Sequence, residues 1–232
     1  MNYTKIGLIG AMEEEIERFA HRMEGAKETV KAGITYAQGE WNGKQVILCK
    51  CGVGKVNAAV CTQILIDTFG VDAIIFTGVA GALHPELNIG DIVISTDCQQ
   101  HDMDATALGY AKGEIPFAPA SVFEADSTLV EAARRAGEAL YPGLIYMGRV
   151  LSGDQFISDR AKVAELYETF GAMCVEMEGS AVAQVCNLNN IPFVVLRSLS
   201  DKADGSAEVN FREFTKLASE RSASIVERML QV

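Results

Sequence analysis

The sequence predicts a single α/β domain in which helices cover a largely parallel or mixed sheet. Short β-branched runs alternate along the chain with amphipathic stretches, and that alternation is typical of βαβ units. A length of 232 residues suits one domain of this class, and a hydrophobic fraction of 49% is enough to bury a large core. The sequence contains no repeat, low-complexity tract or linker that would divide residues 1–232.

Six short apolar runs predict the strands, and six amphipathic stretches predict the helices. The predicted strands are Lys5–Ile9, Gln45–Lys50, Ala73–Thr77, Asp91–Ser95, Leu144–Leu151 and Phe193–Leu199. The predicted helices are Glu13–Met23, Val56–Phe69, Ser127–Leu140, Asp159–Phe170, Gly179–Asn187 and Phe211–Leu230. Residues 99–122 lack periodicity and predict a long loop that serves as a lid or a subunit contact.

The composition argues against several classes of partner. The chain has 31 acidic and 20 basic residues, and its formal net charge of -11 repels nucleic acid and anionic lipid. No apolar run approaches the roughly 20 residues that a membrane-spanning helix needs, and the first residues do not resemble a secretion signal. Six cysteines without a CxxC pair predict reduced core thiols and no metal centre. We therefore expect a cytoplasmic protein that binds neither nucleic acid nor membranes.

Three glycine-bearing segments predict turns at which backbone amides approach a ligand closely. They are residues 7–11, 52–55 and 78–82, and none matches the dinucleotide fingerprint or the P-loop. Each segment alone is equally compatible with a plain tight turn. Three such turns at the carboxyl ends of strands favour a ligand crevice there.

Acidic residues form a second pattern. Residues 13–15 are all glutamate and open the first predicted helix, where each charge stabilises the helix N-terminus by about 0.3 to 1 kcal/mol. That effect does not explain why Glu176 and Glu178 follow one apolar strand, or why Asp201 and Asp204 follow another. The sequence has no serine nucleophile elbow, so carboxylate acid/base chemistry is the hypothesis that remains.

Seven ordered segments together are far more specific than any single turn. They are residues 9–15 (IGAMEEE), 52–58 (GVGKVNA), 77–81 (TGVAG), 90–93 (GDIV), 152–156 (SGDQF), 175–179 (VEMEG) and 197–201 (RSLSD). With these segments the chain resembles the 5'-methylthioadenosine/S-adenosylhomocysteine nucleosidases of the purine nucleoside phosphorylase and uridine phosphorylase superfamily. The resemblance implies a three-layer α/β/α fold with a mixed central sheet, a homodimer, and hydrolysis of the bond between adenine and a 5'-thio-substituted ribose. It implies no cofactor and no metal.

The resemblance also implies roles for individual residues. Glu15 matches the carboxylate that activates the attacking water, and Asp201 matches the acid that protonates N7 of the purine. Glu178 matches the residue that holds the ribose hydroxyls. The other matched positions surround the sugar and the base or support the two carboxyls: Met12, Val79, Ala80, Gly81, Phe156, Ile157, Glu176, Met177, Arg197, Ser200 and Phe211.

Two carboxyls suit this reaction. The transition state resembles a ribosyl cation, and adenine is a poor leaving group until it is protonated, so one carboxyl serves as base and the other as acid. We expect a raised pKa to keep Asp201 protonated near neutral pH while Glu15 stays ionised.

The sequence departs from the family's usual pattern at two positions, with Val79 in place of serine and Leu108 in place of phenylalanine. Four substrates therefore remain open: methylthioadenosine, S-adenosylhomocysteine, 5'-deoxyadenosine and 6-amino-6-deoxyfutalosine. The first two of these belong to methionine salvage and S-adenosylmethionine recycling. A phosphate-dependent purine nucleoside phosphorylase is the nearest alternative, although carboxylates at residues 13–15 would repel phosphate. A nucleoside-binding protein without catalysis is a second alternative, and the presence of both Glu15 and Asp201 argues against it.

Overall fold

The computed structural model describes residues 3–23, 25–202 and 207–231. Its strands are β1 (Lys5–Gly10), β2 (Lys27–Lys31), β3 (Ile34–Trp41), β4 (Lys44–Lys50), β5 (Ala73–Ala82), β6 (Ile92–Gln100), β7 (Val122–Glu124), β8 (Ile145–Ser152), β9 (Cys174–Glu176) and β10 (Phe193–Asp201). Its helices are α1 (Glu13–Arg22), α2 (Lys55–Phe69), α3 (Ser127–Leu140), α4 (Arg160–Phe170), α5 (Gly179–Asn189) and α6 (Ala207–Met229). A short 3-10 helix at Thr106–Leu108 interrupts the long loop.

The sheet is mixed, as predicted. Strand β1 runs parallel to β4 and β5, whereas β2, β3 and β4 form an antiparallel meander at one side. On the other side of β5 the strands close on themselves, because β5 pairs with β10, β10 with β6, β6 with β8, β8 with β9, and β9 with β5. Strand β5 belongs to this ring of five strands and also pairs with β1, which makes it the central strand of the fold.

Helices cover both faces of the sheet and confirm the predicted three-layer fold. Successive side chains of a strand point to opposite faces, so Ile9 packs in the core formed with α2 and α5. Its neighbour Leu8 packs in the core formed with α1, α3 and α6. All six cysteines are free and buried, as expected of core thiols. Among the described residues, no helix is long and apolar enough to cross a membrane.

Four strands were not predicted from the sequence. Strands β2 and β3 are polar and partly exposed, so they lack the apolar run that marks a buried strand. Strands β7 and β9 contain three residues each, too few for a periodic pattern. The predicted helices are confirmed with shifts at their ends, since helix α6 already begins at Ala207.

Two of the three predicted glycine turns are wrong. Residues 78–82 continue strand β5, which is buried along its whole length, and residues 7–10 belong to β1. The third segment does form a turn, at residues 52–54 before α2, in which Gly52 and Gly54 adopt positive φ angles of 85° and 98°. The reason for glycine at position 78 is space: a Cβ atom there would meet Oε1 of Glu15 and lie 2.6 Å from Nη1 of Arg197.

Gly78→Ala should destabilise the protein, because neither neighbouring side chain is a free end that can move aside. Overpacking of this kind costs about 1 to 3 kcal/mol in the free energy of unfolding, which urea denaturation would measure. Gly39→Ala on strand β3 is the matched control, since the one close approach of its Cβ, at 2.9 Å, is to the terminal methyl of the flexible Met23 side chain. Equal losses for the two variants would contradict the account of Gly78.

Candidate active site

A cavity of about 290 Å³ opens at the carboxyl ends of β1, β5, β9 and β10. All the predicted site residues line it except Arg197, which lies buried behind its wall with 1% of its surface exposed. Asp204 lies outside the described residues. The lining residues are Ala11, Met12, Glu15, Val53, Val79, Ala80, Gly81, Gln155, Phe156, Ile157, Val175, Glu176, Met177, Glu178, Ser200, Asp201 and Phe211.

Glu15 is the buried member of the acidic run that opens α1. Its Oε2 accepts hydrogen bonds from the backbone N–H of Ala11 at 2.6 Å and of Met12 at 3.0 Å, closing the first turn of the helix. Its Oε1 accepts from the N–H of Val79 on β5 at 3.0 Å. Glu13, by contrast, is exposed and pairs with Lys50. The favourable charge of a helix N-terminus therefore accounts for Glu13, whereas Glu15 points into the cavity.

Burial raises the pKa of Glu15 above its usual range, while the nearby Arg197 charge and the three backbone donors oppose that rise. We expect Glu15 to be ionised, and its raised pKa restricts the ionised form to a narrower range of pH. A carboxylate of higher proton affinity is also a stronger base towards a water molecule near neutral pH.

Asp201 is the last residue of β10, and 2% of its surface is exposed. The register between β10 and β5 shifts between Leu199 and Asp201, which aligns Asp201 with Gly81. A bulge of this kind re-aims the side chain that follows it. Oδ2 of Asp201 accepts a hydrogen bond from the Ser200 hydroxyl at 2.9 Å, so one carboxyl oxygen is fixed by the chain itself.

A buried ion pair between Arg197 and Glu176 supports the cavity from behind. Oε2 of Glu176 accepts from both Nε and Nη2 of Arg197, and Oε1 accepts from the Ser152 hydroxyl. The N–H of Gly179 donates to both oxygens at 2.9 and 3.0 Å, and the N–H of Glu178 donates to Oε2. Both oxygens of Glu176 are therefore engaged by protein donors, even though the residue lines the cavity.

Glu178 lies between two helix N-termini. It precedes the first residue of α5, and its Oε1 accepts from the N–H of Gly54, which precedes α2, at 2.7 Å. Burial and the neighbouring Glu176 charge nevertheless raise the pKa of Glu178 to about 8, against the opposing effect of Arg197. This rise favours the protonated form of Glu178 in the absence of a ligand.

The remaining walls are apolar. The rings of Phe156 and Phe211 meet edge to face with their centroids 5.6 Å apart, and Phe156 is 49% exposed. Met12 and Met177 line the same cavity. Among the described residues, no three metal-binding side chains gather as a metal centre would require.

The cavity also has four lining residues that were not predicted individually from the sequence: Ala11, Val53, Gln155 and Val175. All four belong to segments that were singled out for their order along the chain, so the signal was present at the level of the segment. Individual selection failed because these residues contribute backbone or apolar surface and have no reactive group.

Comparison with known proteins agrees with this geometry. The Phosphorylase superfamily matches residues 5–231 of the chain. The 5'-methylthioadenosine/S-adenosylhomocysteine nucleosidase of Geobacillus kaustophilus (strain HTA426) is 44% identical over 229 residues, covering 98% of this chain and 97% of the relative. The nucleosidase of the same name from Shewanella sediminis (strain HAW-EB3) is 43% identical over 228 residues, covering 98% and 99%.

Solved structures are similar over the same extent. The nucleosidase of Neisseria meningitidis in complex with methylthio-immucillin-A superposes with a TM-score of 0.94 at 41% identity, covering 98% of this chain and 99% of that one. The futalosine hydrolase of Helicobacter pylori strain 26695 superposes with a TM-score of 0.93 at 33% identity, covering 97% of both chains.

The raised pKa of Glu178 makes stability depend on pH. The folded protein holds the Glu178 proton up to about pH 8, whereas the unfolded chain loses it near 4.5, so this contribution to stability is lost as the pH rises between these values. The thermal midpoint of the unmodified protein should therefore fall more steeply between pH 5 and 9 than that of Glu178→Gln, as calorimetry would measure. Glu86→Gln, at an exposed glutamate, is the control and should keep the slope of the unmodified protein. An equal slope of the thermal midpoint with pH in the unmodified protein and in Glu178→Gln would contradict the prediction.

Proposed function

This chain belongs to the phosphorylase superfamily and, within it, to the 5'-methylthioadenosine/S-adenosylhomocysteine nucleosidases, and from that premise we propose its reaction and the roles of its residues. The chain hydrolyses the N-glycosidic bond of methylthioadenosine and S-adenosylhomocysteine and releases adenine and the 5-substituted ribose. The observation that carries this proposal is the presence of two buried carboxyl groups, Glu15 and Asp201, in the wall of one cavity.

Glu15 acts as the base. The three N–H donors fix its carboxylate, and its raised pKa suits it to accept a proton from a water molecule in the cavity. The resulting hydroxide equivalent attacks the anomeric carbon as the bond to adenine breaks. Because Glu15 is held by backbone atoms, it needs little reorganisation during this step.

Asp201 acts as the acid and donates a proton towards N7 of adenine. The Ser200 hydroxyl donates to Oδ2 of Asp201 and so orients the carboxyl group, which lines the cavity. Protonation turns adenine into a neutral leaving group, which lowers the barrier to cleavage. Glu178 binds the ribose hydroxyls, and its negative charge in the bound state stabilises the positive charge that develops on the sugar.

The apolar wall supports a 5'-thio substituent over a polar one. Phe156, Phe211, Met12 and Met177 offer aromatic and thioether surface, and Val79 adds a methyl surface beside Glu15. The likeness to a futalosine hydrolase keeps 6-amino-6-deoxyfutalosine as a second substrate, because it presents the same adenine bond. 5'-Deoxyadenosine has that bond too. Turnover of methylthioadenosine and S-adenosylhomocysteine would serve methionine salvage and S-adenosylmethionine recycling.

Hydrolysis is favoured over phosphorolysis by the charge of the site. Glu15, Glu176 and Glu178 gather around one guanidinium, and Arg197 is already paired with Glu176. A phosphate nucleophile would therefore find this guanidinium already engaged by Glu176, whereas water would meet a base. A binding protein without catalysis would have no use for a fixed base and a fixed acid.

We propose a homodimer for the same chain, with the cytoplasm as its compartment. Val56 and Val60 lie one turn apart on α2 and are 75% and 40% exposed, and Val53 at the cavity is 50% exposed. Leu108 and Phe117 in the long loop are 73% and 93% exposed. Large apolar side chains exposed to this extent are typical of an interaction surface. Six free buried thiols suit a reducing compartment.

Asp201→Asn and Glu15→Gln should each lower adenine release from methylthioadenosine by about 100-fold to 10,000-fold, because each removes one proton transfer. The measurement is adenine release from methylthioadenosine, S-adenosylhomocysteine and 6-amino-6-deoxyfutalosine, each with and without phosphate. Glu13→Gln, which changes the exposed neighbour of the base, is the control. A requirement for phosphate would favour the phosphorylase, and release of no adenine at all would favour the binding protein.

The homodimer is tested separately. Val56→Glu should shift the protein from dimer to monomer in sedimentation at micromolar concentration, because it places a charge in the middle of the apolar surface of α2. Val30→Glu is the matched control, since Val30 is 65% exposed on strand β2 at the far edge of the sheet. A monomer in the unmodified protein would overturn the homodimer.

A further inference from the structure

Lys55 connects three segments of the chain without lining the cavity. It is the first residue of α2, and its Nζ donates to Oδ1 of Asp102 at 2.6 Å and to Oε1 of Gln100 at 2.9 Å. Its backbone N–H donates to Oδ1 of Asp154 at 2.8 Å. The N–H of Asp154 in turn donates to Oδ2 of Asp102 at 2.9 Å, which closes the set. We call Lys55, Asp102 and Asp154 the lysine clamp.

The ion pair of the lysine clamp is partly shielded from solvent and well supplied with hydrogen bonds. The side chains of Lys55 and Asp102 are only 18% and 21% exposed, so their ion pair is better shielded from solvent than a typical surface pair. The Lys55 hydrogen bond, together with the one from the N–H of Asp154, lowers the pKa of Asp102, which keeps it charged. Both oxygens of Asp102 are used, one by each of the other members.

The turn next to Lys55 needs such a restraint. Gly54 has a φ of 98°. Glycine adopts positive φ about as readily as negative φ, so the residue itself does little to hold this conformation. Its N–H is the donor to Oε1 of Glu178, so any movement of this turn moves the hydrogen bond on that carboxyl. The clamp also connects the turn that contains Val53 to the segment after β8 that contains Gln155, and both of these residues line the cavity.

We propose that Lys55 is a positioning residue for ribose recognition. By holding the start of α2 against Asp102 and Asp154, it keeps the N–H of Gly54 on Glu178 and fixes the carboxyl that binds the sugar hydroxyls. The inference rests on the proposed function, because it assigns a support to the residue that holds the ribose. Lys55 acts through Glu178 and touches no substrate atom.

The test compares two variants on substrates with and without the sugar hydroxyls. Adenine release is measured from methylthioadenosine and from its 2'-deoxy and 3'-deoxy analogues, using the full chain and the variants Lys55→Met and Asp102→Asn. Lys162→Met is the matched control, because Lys162 on α4 is also a partly exposed lysine paired with a carboxylate, that of Glu165. Circular dichroism and the thermal midpoint establish that each variant is folded, and Asp102→Asn carries the test where Lys55→Met does not fold.

We expect Lys55→Met to lower kcat/KM for methylthioadenosine by about tenfold or more, mainly through KM, since a charge-assisted hydrogen bond to the sugar is weakened. For the analogue whose missing hydroxyl costs the unmodified enzyme most, the loss should be less than about threefold, because that contact is already absent. Asp102→Asn should show the same pattern, and Lys162→Met should show neither effect.

Three outcomes are decisive. Equal losses on methylthioadenosine and on that analogue would make Lys55 a merely structural residue and overturn the proposal. Unchanged kinetics in both clamp variants would overturn it as well. If the unmodified chain releases no adenine from methylthioadenosine, the proposed function itself fails, a result that is distinct from the other two.

Discussion

The ion pair between Arg197 and Glu176 is the interaction on which the site depends. One guanidinium lies among three buried carboxyls, those of Glu15, Glu176 and Glu178, and it is fully paired with only one of them. Burial raises the pKa values of Glu15 and Glu178, the charge of Glu176 adds to the rise at Glu178, and Arg197 opposes the rise at both. Removing one member of such a buried pair leaves an uncompensated charge, so the pair and the proton affinities around it form one unit.

Strand β5 determines where these groups meet. The N–H of Val79 holds Glu15 from α1, and Gly81 lies opposite Val175 on β9 and opposite Asp201 on β10. Small residues along this stretch let side chains from other elements approach the backbone closely. The cavity is therefore formed around a strand that supplies no reactive side chain of its own.

The fold could be predicted from the sequence where local patterns match the tertiary structure. Buried strands and amphipathic helices have such patterns, whereas β2 and β3 are polar and their pairing is decided by neighbours far along the chain. Two glycines in residues 78–82 predict a turn locally, and only the packing of Glu15 and Arg197 reveals that Gly78 is needed for space. The site residues were found through resemblance, but no local pattern could indicate that Arg197 supports the cavity from behind.

The closed ring of strands that includes β5 limits how copies of this protein can associate. A closed ring leaves few unpaired strand edges, and β2 pairs only with β3 among the described strands. That open edge has Lys27, Glu28 and Lys31 around Val30, and charged residues there disfavour the addition of a foreign strand. The charged edge of β2 thus disfavours edge-to-edge aggregation. Helices and loops are the surfaces that remain for contact with a second copy.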